Sequence, residues 1–459
     1  MGSRLGGSRR QILTVGVCIW ALIQLFRLVS AERPLLGGAL SLPLDDSFIY
    51  LQYARAAAEG HPFVYTLGNA PTTGSTSLWY PLLLLPPHLL RLPPEACVVW
   101  VLLLGAAFYA ASALLLGHLG TRLGGPVGGI LAVLLFVASP HLLWGYWSGM
   151  EIAFYATTLL ATVSVYLRER EAATFPSLRY WLFVLAGARP EGAILCGVFA
   201  ILMTWDSRRA RHGRGAGAAG PGGAGLRAIL SPAILLAIAA AALPFLVNIA
   251  LSGSAESSSS QAKSILSEPY PDSRLVYFRN TPLICLNVAS MLLSLLVLGP
   301  ESQPVPPLMA ASGAGVLLFL VFALGRRPSP WRGGLFLLAL LGAGIVVNTI
   351  PVHWFIHLFR YQQGILPIAL LVIAAGWGRL AWWAWSKLPR AAGATIAALA
   401  AAGPAAVWLF FLAGANLEMP SFYARNCENI YHQQVTIGRW IDANLPPDTI
   451  VGLNDAGAL

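Results

Sequence analysis

Leu42-Pro43-Leu44-Asp45-Asp46-Ser47-Phe48-Ile49-Tyr50 sets two adjacent carboxylates just beyond the first long apolar run, which extends from about Ile12 to Val29. Charged residues make up 10% of the chain, and neighbouring acids near a bilayer are costly unless they have a task. On spacing alone two readings stand. In one, the stretch is a solvated loop and an Asp caps the helix that runs from Phe48 to about Glu59. In the other the acids do chemistry, and the rest of the chain has to decide.

Composition decides the class first. The 459 residues are 57% hydrophobic, with a mean hydropathy of +0.67, whereas a soluble domain has about a quarter of its residues charged. Many separate apolar runs approach the roughly 20 residues needed to span hydrocarbon. The class is an all-α polytopic membrane protein. The net charge of +10 is not a nucleic-acid signal. The basic residues cluster between apolar runs, at Arg4/Arg9/Arg10, Arg208/Arg209/Arg211/Arg214, Arg326/Arg327/Arg332 and Lys387/Arg390, as in cytoplasmic loops under the positive-inside rule. Of the five cysteines, Cys18, Cys97, Cys196 and Cys285 lie in or beside apolar runs and Cys427 stands alone in a polar tail. Their spacing suggests neither a disulfide framework nor a structural zinc. The first apolar run lacks a cleavage site before Glu32 and reads as a retained helix.

With the N-terminus inside, the segment from Ala31 to about Glu95 lies outside. At roughly 60 residues it is far longer than a connector needs. It holds the acid pair, the helix to Glu59 and an irregular stretch from Gly60-His61-Pro62 to Gly74-Ser75-Thr76-Ser77, whose Gly, Pro, Asn and Thr content argues for ordered loop. Spans are expected at about Cys97–Leu119, Val127–Leu143 and Ile152–Leu167. A broken pair follows, at about Tyr180–Ala188 and Gly192–Trp205, interrupted by Arg189-Pro190-Glu191-Gly192. A charged, Pro-containing turn at membrane depth is tolerated only where it lines protein or a water-filled cavity. Asp206 to Arg227 is a Gly/Ala/Arg-rich linker. A span at about Ala228–Leu251 leads outside to the Ser-rich loop that ends near Lys263.

Placing the cluster Arg326/Arg327/Arg332 inside requires Leu283–Leu298 to lie along the interface or re-enter, while Leu308–Leu324 crosses. Spans at about Gly333–Ile350, Gly364–Trp385 and Ala392–Leu412 bring the expected total to about eleven, with the C-terminus outside. Residues 1–415 thus form a multi-pass catalytic unit, and 416–459 an extracytoplasmic tail. In the tail a helix over Asn429–Ala443, a turn at Asn444-Leu445-Pro446-Pro447 and a strand over Thr449–Leu453 are expected. This short α/β piece either packs on the membrane part or opens a larger soluble domain.

In this topology the outer face gathers Asp45, Asp46, Glu151, Lys263, His353, His357, Arg360 and Tyr361, with Arg189 and Glu191 near it. Carboxylates with Lys and Arg suit a transfer in which a hydroxyl loses a proton and an anionic group leaves. Each residue also has a plainer reading. Glu151 begins a helix, where an acid meets the favourable end of the dipole. Arg189 and Glu191 can pair with each other, Lys263 can be an ordinary loop lysine, and Arg360-Tyr361 can anchor at the interface. His353 and His357 are spaced i, i+4 but lack a nearby acid, so packing or anchoring outweighs metal binding. A divalent metal is not indicated and no cofactor is expected.

The run Asp45-Asp46-Ser47-Phe48-Ile49-Tyr50-Leu51-Gln52-Tyr53-Ala54-Arg55, then Glu59-Gly60 and Thr73-Gly74-Ser75-Thr76-Ser77-Leu78-Trp79, resembles the first outer loop of polytopic GT-C glycosyltransferases. The resemblance is greatest to the branch similar to actinobacterial cell-wall arabinofuranosyltransferases and their bacterial relatives. Gly149-Met150-Glu151, Arg189-Pro190-Glu191-Gly192, the Gly253-to-Lys263 loop, and Arg360-Tyr361 with Pro367 follow in the family's order. The loop before Lys263 departs from the pattern, being rich in Ser where relatives carry Pro and Asn. Relatives also continue past a strand like Ile450–Asp455 into a sizeable soluble domain.

The resemblance implies that a sugar passes, with inversion, from a polyprenyl-phosphate donor to an acceptor hydroxyl of a cell-envelope glycan, lipid or protein. The transfer takes place on the extracytoplasmic face of the inner (cytoplasmic) membrane. By the same resemblance, Asp45 is the general base and Asp46 orients the acceptor or shares that role. Lys263 and Arg360 hold the donor phosphate with Tyr361 beside it, and Arg189, Glu191 and Glu151 belong to the cavity. A lipid-phosphate leaving group carries its own activation, and consistently no G-x-x-x-x-G-K-[ST] loop is present. The competing class is a transporter or lipid flippase, which predicts internal repeats and charges near the midplane. No repeat is seen, and the charges sit at span ends.

Overall fold

A computed structural model describes the chain except residues 1, 214–231, 268, 296–304, 325–333, 351–355, 447–448, 450, 453–456 and 459. Its regular elements are all helical. The bundle is built around Leu366–Lys387, whose apolar window is 78% buried, against 17–50% for the other candidate spans. That helix is apolar almost all round, with Ile368 to Ala375 fully enclosed, as expected of a helix walled in by others. It packs on Pro94–Ala138 through a seam of small residues. A Cβ at Gly124 would lie 2.7 Å from the Ala375 Cα, and one at Gly378 would lie 2.3 Å from the Gly124 carbonyl oxygen. Backbones approach this closely only where side chains are absent, the usual basis of tight helix pairing in membranes.

Pro94–Ala138 is 45 residues long and kinks at Gly125, where φ is +73° directly before Pro126. The proline lacks the N–H that would continue the ladder. At 1.5 Å per residue the helix runs about 68 Å, roughly twice the hydrocarbon thickness, so the kink divides it into two limbs. The segments read from sequence as Cys97–Leu119 and Val127–Leu143 largely correspond to these two limbs, which fold back on each other so that a Cβ at Gly120 would lie 2.6 Å from the Gly128 carbonyl oxygen, and a short helix, Pro140–Trp147, takes over after Ser139.

Among the described residues, six helices are long and apolar enough to cross a membrane. A seventh is added if Pro140–Trp147 and Ile152–Glu169, bent 110° apart, count as one. Among the described residues this does not bear out the expected eleven. Leu178–Ala188 has 11 residues and Phe336–Val347 has 12, about 17–18 Å of helix where hydrocarbon needs about 30 Å. Pro271–Ser294 is helical but is not a candidate span.

The α/β tail is corrected as well. The expected helix is present as a continuation of Arg390–Ile430 through a π-turn at Tyr431–Val435 into Thr436–Asn444. Among the described residues no strand follows: Thr449, Val451 and Gly452 form no ladder, and Ile450 and Leu453 lie outside the described residues. A lone strand has no partner to satisfy its backbone.

Candidate active site

The acid-pair helix spans Asp45–Ala58, beginning at the first acid rather than at Phe48. Leu44 takes the N-cap position, and no side chain caps the helix. Both acids therefore lie in the first turn, favoured there by the helix dipole, and neither is used as a cap. Leu42 and Leu44 are buried and anchor the approach. Ser47 Oγ donates to the Ser148 carbonyl at 2.5 Å, tying the helix to the bend between Pro140–Trp147 and Ile152–Glu169.

That bend turns on Gly149, at φ +79°, where a Cβ would fall 2.8 Å from Leu42 Cδ1 and 2.9 Å from Ser47 Cβ. Gly149→Val combines a left-handed backbone with a clash, and it is expected to cost about 1–3 kcal/mol. A thermal unfolding midpoint in detergent equal to that of the wild type would contradict this account of the bend.

Immediately after the bend, Glu151 is buried at the start of its helix. Arg189, extended between Leu178–Ala188 and Pro190–Gly213, joins Glu151 to Glu191. Its Nε and Nη2 donate to the two Glu191 oxygens at 3.0 Å each, and its Nη1 makes a short contact with Glu151 Oε1. One cation thus holds two buried carboxylates. Thr76 Oγ1 donates to the same Glu151 oxygen at 3.4 Å and lies 2.7 Å from the Tyr50 hydroxyl, while Glu151 Oε2 has no partner. Burial, reinforced by the Glu151 charge, pushes the Tyr50 phenol up, so Tyr50 stays protonated and acts as a donor. The far end of the first loop is fixed to the Arg189 turn, because Leu78 N donates to the Gly187 carbonyl at 2.8 Å and Ser77 Oγ to the same oxygen at 3.2 Å.

Arg360, on Ile356–Gln363, is buried and pairs with Asp46 at 2.7 Å. Its Nη2 donates to the Tyr361 hydroxyl at 3.2 Å, and its Nε is buried without a partner. Burial alone pulls this guanidinium down, but Asp46 and Tyr361 outweigh it and hold the value up. Arg360 is therefore a permanent cation with a donor to spare.

Asp46, Tyr50, Thr76, Glu151, Arg189, Arg360 and Tyr361 face one cavity of about 320 Å³, closed on another side by Phe245, Asn248 and the serines of the 257–260 loop. That loop is docked on the first, Ser258 N donating to Thr73 Oγ1 at 3.1 Å. Asp45 is 8% exposed and is absent from this cavity's lining. Its two oxygens accept from the backbone amides of Gly457 at 2.9 Å and Ala458 at 2.6 Å. Both of those residues line a larger cavity of about 1060 Å³ bounded by the acid-pair helix, His88, Arg91 and Arg439. Of the two neighbouring acids, Asp46 faces the smaller cavity, while Asp45 is held between the acid-pair helix and Gly457-Ala458.

Of the residues singled out in the sequence, Asp46, Glu151, Arg189, Glu191, Arg360 and Tyr361 meet at one cavity, and Asp45 adjoins them. Lys263 ends the helix Ser258–Lys263, beside cavity-lining Ser260 and Ser264, but its side chain lies outside what is described, as do His353 and the side chain of His357. Among the described residues no group of three or more His, Cys, Asp or Glu side chains could hold a metal ion. Sequence reading gave no role to Tyr50, Thr76 and Glu256, although the first two stand inside the quoted motifs. Glu256 also lines the cavity. A lone Glu in a Ser-rich loop carries no local signal.

Comparison of the sequence with protein-family models and with curated proteins finds no match. Solved structures do match its backbone. The oligosaccharyltransferase of Archaeoglobus fulgidus in its apo form superposes with a TM-score of 0.56 at 12% identity, over 95% of this chain and 58% of that one. ArnT from Cupriavidus metallidurans bound to undecaprenyl phosphate superposes with a TM-score of 0.54, also at 12% identity, over 97% of this chain and 83% of that one. This chain thus spans little more than half the length of the archaeal enzyme. At such identity the likeness is one of fold alone.

Proposed function

We propose that this chain is an integral-membrane glycosyltransferase. It moves a sugar from a polyprenyl-phosphate donor to an acceptor hydroxyl of an envelope glycan, lipid or protein, on the extracytoplasmic face of the inner membrane. Within GT-C proteins we place it nearest the arabinofuranosyltransferase-like branch, on the first-loop motif. Residues 1–415 carry the catalysis and 416–459 form an extracytoplasmic appendage.

The observation that carries this reading is the buried Asp46–Arg360 pair facing a cavity, one residue from a second buried carboxylate, Asp45. The Asp45 carboxylate takes the proton of the acceptor hydroxyl. The hydroxyl oxygen attacks the anomeric carbon as the bond from that carbon to the phosphate oxygen breaks, and polyprenyl phosphate leaves with the electron pair. Arg360, with its unused Nε, and Lys263 meet the charge that develops on the phosphate. Asp46 orients Arg360, and Tyr361 braces it. Arg189 is already neutralised by Glu151 and Glu191. These three shape the cavity wall and present Tyr50 through Thr76, rather than binding the phosphate.

Native mass spectrometry with undecaprenyl phosphate tests the donor side. Arg360→Ala is expected to weaken retention of the lipid by about 10- to 100-fold, the equivalent of one or two charge-assisted hydrogen bonds. Equal retention by the variant and the wild type would remove Arg360 from the phosphate site.

A further inference from the structure

We propose that the backbone amides of Gly457 and Ala458 form a clamp that holds the Asp45 carboxylate in its working orientation, making these two residues positioning elements of the active site. The proposal rests on the reading of Asp45 as general base. An Asp side chain has a broad, roughly two-fold terminal torsion, so an unrestrained carboxylate sweeps its lone pairs through a wide arc. Here each oxygen is held by a separate donor, Gly457 N on Oδ2 at 2.9 Å and Ala458 N on Oδ1 at 2.6 Å. Two successive amides converging on one anion form a nest-like arrangement that fixes the carboxylate plane.

The approach depends on glycine. A Cβ at Gly457 would stand 2.2 Å from the Asp45 carbonyl oxygen and 2.9 Å from Oδ1, so any side chain lifts both amides away. The clamp also stands at the meeting of the two cavities. Gly457 and Ala458 line the larger one with Arg439 and Arg55, while Asp46 faces the smaller. The two donors come from more than 400 residues along the chain, so they act as a separate part brought to the base.

The test uses the full chain in lipid nanodiscs and reads two quantities. Amide hydrogen exchange at Gly457 and Ala458 is expected to be slow in the wild type and at least about tenfold faster in Asp45→Ala, with the Thr436–Asn444 helix unchanged. In membranes supplied with polyprenyl-phosphate sugars, Gly457→Val is expected to lower kcat about 10- to 100-fold at unchanged donor KM and unfolding midpoint. Ala458→Pro, which deletes the shorter donor and adds little bulk, should do the same. Exchange that ignores Asp45→Ala, or full kcat in both tail variants, overturns the clamp. An Asp45→Asn enzyme that still transfers overturns the general-base reading instead, and the exchange result stands apart from it.

Discussion

Asp45→Asn is expected to lower sugar transfer by about 10³-fold or more while leaving retention of undecaprenyl phosphate near the wild-type level. The substitution keeps size and shape and removes the one property a base needs, and general-base contributions run to about 10²–10⁴-fold. Lipid-phosphate binding is spared because the cation assigned to it, Arg360, is paired with Asp46. Asp46→Asn provides the contrast. It strips a buried guanidinium of its charge partner, so lipid retention and donor KM should suffer first and kcat second. Transfer assays in membranes supplied with polyprenyl-phosphate sugars, beside lipid retention by native mass spectrometry, separate the two acids. Full transfer by Asp45→Asn would sink the assignment.

Arg189→Met is expected to be the most destabilising single change at the cavity. Its guanidinium is the shared partner of two buried carboxylates, and its removal leaves Glu151 and Glu191 close together without a cation. Breaking a buried ion pair from one side costs about 3–5 kcal/mol, because the remaining charge is uncompensated. The unfolding midpoint in detergent should fall by several degrees or more. Adding Glu151→Gln to Arg189→Met should restore part of the loss, since one of the opposed charges is then gone. If the single variant melts with the wild type, the triad is not the buried network described here.

The charged residues of the site were legible because each stood out against an apolar background. An Asp pair, an Arg-Pro-Glu turn and an Arg-Tyr pair are conspicuous where 10% of residues are charged. The choice between capping and chemistry was not legible, since helix propensity does not say whether a helix starts at Asp45 or at Phe48. The expected crossings exceed the candidate spans among the described residues because hydropathy reads short apolar pieces such as Leu178–Ala188 and Phe336–Val347 as spans. The strand in the tail was expected from β-branched residues alone, without a partner in view. The contact between Asp45 and Gly457-Ala458 joins opposite ends of the chain, and no periodicity or spacing reports on such a pairing.

The uneven enclosure of the helices makes one wall of the cavity answerable to the lipid. Arg360 and Tyr361 sit just ahead of the central helix Leu366–Lys387, which neighbouring helices insulate from the bilayer. Phe245 and Asn248, which also line the cavity, belong to Pro232–Ser252, whose apolar window is only 17% buried. A thicker or thinner membrane is met by tilting of the helices that touch it. Acyl-chain length therefore acts on Pro232–Ser252 and the serine loop that follows it, widening or narrowing the cavity mouth, while the Asp46–Arg360 pair keeps its place.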